Sequence, residues 1–124
     1  MTPSEKYQTL VERLYRKTIA RDIGWSFQEG IGAFATIAGR MIILSAHRSA
    51  TGNPLEVVQI KNQEGKTIDR FDDEDIRGEP PADMLCDGYW ALMKNLREIA
   101  VRQAVGADDA IDDILGELDD DVPF

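Results

Sequence analysis

Cysteine and histidine are nearly absent from this sequence, which holds one of each, Cys86 and His47. A single cysteine excludes an intramolecular disulfide and is typical of a protein in a reducing cytoplasm. A single histidine with no second His or Cys near it in sequence is usually structural, so we expect no chemical role for His47. The fold must therefore be held together by its core.

Long apolar runs are also missing. The run at residues 41–44, Met-Ile-Ile-Leu, is far too short to cross a bilayer. The first residues, Met-Thr-Pro-Ser-Glu-Lys, do not form a charged leader followed by an apolar stretch, so we expect no signal peptide. These patterns predict a cytoplasmic protein without a membrane segment.

Basic residues are few, because 14 Lys and Arg stand against 23 Asp and Glu, for a formal net charge of −9. Such a chain repels nucleic acid and anionic lipid at long range, so direct nucleic-acid binding is not expected. Much of the acidity falls at residues 108–121, which leaves room for a local basic face on the body. A length of 124 residues, 43% of them hydrophobic, suits one domain with one core.

Motifs that hold a phosphate or a metal are incomplete. The stretch 30–32, Gly-Ile-Gly, lacks the third glycine and the following helix of a dinucleotide-binding loop, so it predicts a turn. The acidic run 72–75 fails the calcium-loop pattern, because counting from Asp73 puts Met84 where a glutamate is needed. Acids four residues apart at 108–113 are typical of a solvated helix face. We therefore expect no cofactor and no metal.

Catalytic pairs are not evident in the sequence either. No nucleophile stands in a recognisable motif with a general base. Cys86 is predicted to lie in the first turns of a helix, without an evident partner base, and we expect it to be a small half-buried side chain. The sequence thus predicts a protein that is not an enzyme.

The first helix is predicted from its cap. Thr2 is a good N-cap, Pro3 suits the first helical position, and Glu5 completes a Thr-x-x-Glu capping box. The pattern ends near Ala20. One face of the helix is predicted to hold Tyr7, Leu10, Val11, Leu14 and Thr18.

Several short β-type segments follow, at residues 25–27, 34–37, 41–47, 55–61 and 66–71. Residues 62–65, Asn-Gln-Glu-Gly, predict a hairpin turn. Short connections favour antiparallel neighbours, so the segments predict a meander of four or five strands.

The last third of the chain predicts two helices. An acidic loop at 72–81 ends in two prolines, and a long helix follows at about 82–104, with Gly106 as its stop. A short last helix is capped by Asp108. The long helix is predicted to turn inward Leu85, Tyr89, Leu92, Met93, Leu96, Ile99, Ala100 and Gln103, and the short one Ile111, Ile114, Leu115 and Leu118.

The predicted fold class is α+β: an N-terminal helix, an antiparallel meander of four or five strands, a long C-terminal helix and a short last helix. These form a single domain over residues 1–118, followed by an acidic tip over residues 119–124. The long helix is the natural cover for one face of the sheet. Trp90 points about 100° away from Tyr89, so it either covers the sheet edge or is an exposed anchor for a partner. The predicted core includes Leu10, Leu14, Ile43, Val58, Leu92 and Leu96.

The tip consists of Asp119, Asp120, Asp121, Val122, Pro123 and Phe124, and we expect Phe124 to end the chain. This string resembles the C-terminal tip of bacterial single-stranded DNA-binding proteins, which reads Asp-Asp-Asp-Ile-Pro-Phe. The resemblance implies that Pro123 and Phe124 fill a small apolar pocket on a protein of DNA repair, recombination or replication. It also implies that the three aspartates engage a basic rim around that pocket.

The resemblance covers these six residues only. The rest of the chain shares neither the strand pattern of the DNA-binding barrel nor the Gly/Gln/Pro-rich linker before the tip, so DNA binding by the body is not implied. Leu118 is expected to pack on the body, which would leave the tip little reach. The chain is predicted to be a bacterial or phage protein-interaction module that acts through its tip. The alternative is a small interaction or immunity-type domain that uses its sheet or helix surface, with an incidental tip.

Overall fold

An N-terminal helix, a five-stranded antiparallel sheet and two C-terminal helices make up residues 1–120, the part of the chain that the computed structural model describes. The helices are α1 (Pro3–Ile19), α2 (Tyr89–Val105) and α3 (Ala107–Asp120). The strands are β1 (Ser26–Gln28), β2 (Gly32–Ile37), β3 (Arg40–Arg48), β4 (Pro54–Lys61) and β5 (Thr67–Asp72). The predicted α+β class is confirmed. None of the three helices in this range is both long and apolar enough to cross a membrane.

The start of α1 follows from its sequence. Thr2 is extended, and its hydroxyl accepts a hydrogen bond from the backbone N–H of Glu5 at 3.2 Å. Pro3 occupies the first helical position, where a missing N–H leaves no bond unmade. The residues that α1 buries are Val11, Leu14 and Thr18.

The strands form a meander in which each strand pairs with the next one along the chain. The β3–β4 pair is the longest, with eight residue pairs in register. The turn between β4 and β5 closes as predicted, since the Gly65 N–H bonds to the Asn62 carbonyl at 3.0 Å. β2 begins at Gly32, where φ is +116° and a Cβ would overlap the Leu44 carbonyl. Only glycine fits this close approach of the β2 and β3 backbones.

The main core lies between one face of the sheet and the helices α1 and α2. Ile43 is buried too, but it lies outside this core because side chains alternate along β3 and its neighbour Leu44 faces the helices. Leu10 is only half-buried, so its place in the predicted core is wrong. The predicted core residues that are buried are Leu14, Ile43, Val58, Leu92 and Leu96.

The predicted start of the long helix is wrong by several residues. Ala82–Met84 form a separate 3₁₀ turn, and the chain then takes a left-handed conformation at Leu85 (φ 55°). α2 starts only at Tyr89, after an extended Gly88 as N-cap. The spacing from Leu85 to Tyr89 imitates a helical face, but Gly88 between them disfavours a helix, and buried Met84 holds the turn against the core. Leu85 is therefore 91% exposed.

An ion pair between a buried glutamate and a half-buried arginine fastens α2 to the sheet. Glu56 of β4 is buried, and Arg97 of α2 donates two hydrogen bonds to its carboxylate, from Nε to Oε1 at 2.7 Å and from Nη2 to Oε2 at 3.1 Å. The bond to this carboxylate raises the pKa of Arg97.

Within residues 1–120, no buried side-chain polar atom lacks a hydrogen-bond partner.

Two further bonds join α1 to α2. The Tyr89 hydroxyl donates to Glu12 Oε1 at 2.7 Å, and Gln103 Nε2 donates to the Thr18 carbonyl at 2.8 Å. Burial, followed by the bond to Glu12, raises the pKa of Tyr89, so its hydroxyl stays protonated at neutral pH. The two helices thus form a single layer over the sheet.

Candidate functional site

Helix α3 is the least covered helix of the described chain. From Asp108 to Asp119 every residue is exposed. One face carries four apolar side chains that are 47–59% exposed, at the spacing i, i+3, i+4 and i+7: Ile111, Ile114, Leu115 and Leu118. A helix of a folded domain normally buries such a stripe, so these four side chains form an uncovered apolar surface.

The positions of α3 outside the stripe are acidic. They include Asp or Glu at 108, 109, 112, 113 and 117, and the sequence has no Lys or Arg from 107 to 124. Asp108 lies in the first turn, where the helix dipole favours a negative charge. It pairs with Arg102 and lies 3.9 Å from Arg21 Nη2, and these contacts tie the start of α3 to the body.

Gly106 sets the direction in which α3 leaves α2. Its φ is +67°, and its N–H is directed at the carbonyls of Arg102 and Gln103, as in a helix C-cap. The predicted stop at Gly106 is confirmed. Ala107 is half-buried, and the residues from Asp108 to Asp119 are exposed.

The prediction that Leu118 packs on the body is wrong. It is 53% exposed, because α3 leaves the body after its first residue. α3 includes Asp119 and Asp120, and its 14 residues make it about 21 Å long. The other predicted tip residues lie outside the described part of the chain: Asp121, Val122, Pro123 and Phe124. α3 thus supplies reach for the tip that a packed Leu118 would have denied it.

A second surface, here called the α1 groove, lies between α1 and the strands β2 and β3, with a cavity volume of about 700 Å³. Arg13 and Lys17, one turn apart on α1, are exposed at its edge. Lys17 Nζ lies 3.7 Å from Asp22 Oδ2, whereas Arg13 makes no ion pair within residues 1–120. The half-buried apolar side chains that line the groove include Leu10, Ile23 and Ile37. Asp22 also lines the groove, so its apolar floor is bordered by two basic side chains and one acid, a net basic edge.

A Ser–His pair lies near the end of β3. Ser45 Oγ is 3.0 Å from His47 Nε2, and both residues border a pocket of about 430 Å³ beside the β1–β2 turn. The sequence signal for this pair is the i, i+2 spacing, since two such residues share one face of a strand. His47 is exposed, and no carboxylate among residues 1–120 bonds to its second nitrogen, so none orients the ring as in a catalytic triad.

The acidic run 72–75 uses its carboxylates to bind backbone amides. Asp72 caps a 3₁₀ turn by accepting a hydrogen bond from the Glu74 N–H at 2.9 Å. Asp73 accepts one from the Glu56 N–H at 2.8 Å, and burial raises the pKa of Asp73. Over residues 1–120, no group of three or more His, Cys, Asp or Glu side chains is arranged to hold a metal. The run is a turn fastened to β4.

We predict that the chain binds neither a divalent metal nor a nucleotide tightly, because its phosphate-loop motif is incomplete and its acidic run already bonds the backbone. Adding calcium or ATP should leave the melting temperature unchanged, since only a ligand of the folded state raises it. A stoichiometric metal in the purified protein, or a large thermal shift, would contradict this prediction.

Two other predicted features lie at the start of α2. Cys86 precedes this helix, so its predicted place in the first turns is wrong; it is half-buried, as expected, with its Sγ 3.5 Å from Asn95 Nδ2. Trp90 is 37% exposed, and Lys94 Nζ lies 5.1 Å from its ring centroid, within cation–π range. Neither residue adjoins α3 in sequence.

Comparisons of the chain with protein-family models, with curated proteins and with solved structures found no match. The candidate site is therefore defined by its own residues. It consists of the exposed stripe and acids of α3, which continue into the tip, and of the α1 groove on the body.

Proposed function

We propose that the chain is a non-enzymatic protein-interaction module of a bacterial or phage cytoplasm, and that α3 and the tip bind its partner. The partner presents an apolar pocket edged by Lys or Arg. Proteins of DNA repair, replication or recombination are the class that the resembling tip indicates.

The uncovered amphipathic face of α3 carries this proposal. An apolar stripe in water is unfavourable, and a partner that covers it removes that area from solvent. Because all charged side chains of α3 are negative, a basic edge on the partner attracts it and a negative surface repels it. An amphipathic helix in an apolar groove is a common mode of peptide recognition.

The tip adds further negative charges and apolar side chains to those of α3. Asp119 is exposed at the end of α3, and the next residues add two more aspartates before the apolar Val-Pro-Phe. An aromatic ring with a rigid proline beside it is a strong anchor for a small pocket, since Phe buries a large area and proline restricts the free segment. α3 and the tip therefore favour the same kind of partner surface.

The non-enzymatic part of the proposal rests on the Ser45–His47 pair, the arrangement within residues 1–120 that comes nearest to a nucleophile with its base. Its imidazole is exposed and has no acid to orient it, so the serine hydroxyl gains little activation. The assignment to a cytoplasm rests on the single cysteine.

Deleting Phe124 is expected to abolish partner binding while the fold stays intact. Removing one buried aromatic anchor costs about 2 kcal/mol or more, which is roughly a thirtyfold loss of affinity. The measurement is fluorescence anisotropy with a labelled peptide of residues 119–124, and the binding protein is one that takes the tip of bacterial single-stranded DNA-binding proteins. A peptide ending Asp-Asp-Asp-Ile-Pro-Phe should displace the label.

The matched control changes the charges and keeps the ring. Replacing Asp119, Asp120 and Asp121 by Asn should weaken binding less than the Phe124 deletion, and mostly at low salt, because exposed charges are screened. No binding of the labelled peptide would show that the resemblance is coincidental. A lower melting temperature after deletion of Phe124 would assign the tip to the fold instead.

A pull-down separates the proposal from its alternative. The full chain and a chain ending at Leu118 are compared as baits in a bacterial lysate. Partners that the shorter chain loses support the tip. Identical partner lists would favour a domain that uses its sheet or helix surface.

A further inference from the structure

We propose that the α1 groove binds the tip of a second copy of this chain. The groove has an apolar floor and a basic edge, and the tip has an acidic run followed by Val-Pro-Phe. The apolar floor is complementary to the apolar end of the tip, and the basic edge to its acidic run, and both surfaces belong to the same protein. The inference goes beyond the proposed function because it needs no other protein.

The charge distribution favours this pairing. All 14 Lys and Arg lie before Gly106, whereas every charged side chain after it is negative. Arg13, at the groove edge, is exposed and has no ion-pair partner within residues 1–120. An acidic tip gains attraction there. Two α3 helices packed side by side would bring acids together, so charge disfavours a dimer through their stripes.

The occupant of the groove is assigned to a second copy rather than to the same chain. α3 starts beside Arg21, just beyond the end of α1, and all its residues from Asp108 to Asp119 are exposed, so α3 does not pack in the groove. The 14 residues of α3 span about 21 Å, whereas the four residues that follow Asp120 span at most about 14 Å. A tip that has to double back along α3 is therefore a less favourable occupant than the tip of a second copy.

The apolar and the acidic residues of the tip contact different parts of the groove. Phe124 and its apolar neighbours cover the floor, where Leu10 is half-buried although it belongs to the inner face of α1. The tip aspartates meet Arg13 and Lys17 at the edge. The cavity of about 700 Å³ lies within the range that holds small ligands. The tip bound in this way is hidden from other partners, so self-association competes with the proposed function and limits it at high chain concentration.

Sedimentation velocity over micromolar to sub-millimolar concentrations tests the inference. The full chain should associate with rising concentration, and a chain ending at Leu118 should stay monomeric. Deleting Phe124 alone should weaken association at least thirtyfold. A full chain that stays monomeric throughout, or association that survives the truncation, overturns the inference.

A charge exchange gives the sharper test. The groove variant carries Arg13→Glu and Lys17→Glu, and the tip variant carries Asp119→Lys, Asp120→Lys and Asp121→Lys. Each alone opposes like charges and should be monomeric, whereas their mixture matches both groove–tip pairs and should associate again. Because these positions are exposed on α1 or belong to the end of α3 and the tip, melting curves of the variants should match that of the native chain. A mixture that stays monomeric overturns the inference.

The outcomes separate this inference from the proposed function. If the full chain is monomeric but still binds the protein partner through Phe124, the inferred self-association is wrong and the proposed function is supported. Association that is lost on changing Leu115→Asp but kept in the chain ending at Leu118 assigns the contact to the α3 stripe and overturns the role of the groove.

Discussion

Replacing Leu92 by alanine is expected to lower the free energy of unfolding by about 2–5 kcal/mol. Leu92 is fully buried between α2 and the sheet, and the same loss is expected at Leu96, which is 1% exposed. Each truncation removes apolar contacts and leaves a cavity that a packed core fills only in part. The measurement is urea unfolding followed by circular dichroism. A loss below about half a kcal/mol at both sites would show that the inner face of α2 is misassigned.

Leu85 provides a matched control, because the helical spacing in the sequence gives it the same inward face as Leu92. It is 91% exposed, so Leu85→Ala should change the free energy of unfolding by no more than about 0.5 kcal/mol. A loss at Leu85 equal to that at Leu92 would instead favour the continuous helix over residues 82–104.

The elements that could be predicted are those whose local signals agree. Thr2, Pro3 and Glu5 define the start of α1 by the geometry of its first turn, and Gly106 defines the end of α2. The meander followed from short connections and from the Asn-Gln-Glu-Gly turn, because a strand with a short loop has only its antiparallel neighbour to pair with. In each case the determining contacts lie within a few residues in sequence.

The start of α2 and the exposure of α3 could not be predicted in this way. Helical periodicity gives a face but does not say what covers it, so Leu85 and Leu118 looked like Leu92. The structure distinguishes them by contacts from distant segments: β-strands and α1 meet α2, whereas nothing in residues 1–120 covers α3 beyond its first residue.

Of the two parts of the candidate site, only α3 with the tip could be predicted from the sequence. The tip and the amphipathic pattern of α3 are contiguous in the sequence and were found there. The α1 groove joins residues of α1 to residues of β2 and β3. Arg13 and Lys17 belong to a helix with four basic and two acidic residues, but the sequence does not show which apolar side chains lie beside them. Only the folded arrangement brings its apolar floor under these two side chains.

Replacing Arg97 by methionine is expected to destabilise the fold by about 3–5 kcal/mol. Glu56 is 4% exposed and receives two hydrogen bonds from Arg97, so the variant leaves a buried carboxylate without its partner. Methionine keeps most of the apolar stem, which confines the change to the charge and its bonds. The measurement is again urea unfolding at neutral pH.

The double variant Glu56→Met with Arg97→Met is expected to be more stable than Arg97→Met alone. The pair gains attraction, but Glu56 has lost its hydration and Arg97, whose side chain is 25% exposed, has lost much of its own. Replacing both members of such a pair by apolar groups of similar size is often close to neutral. Removing one partner is costly mainly because the other stays buried and unpaired. If the double variant were destabilised by the sum of both single losses, the two residues would act independently, and the ion pair would not be what holds α2 on the sheet.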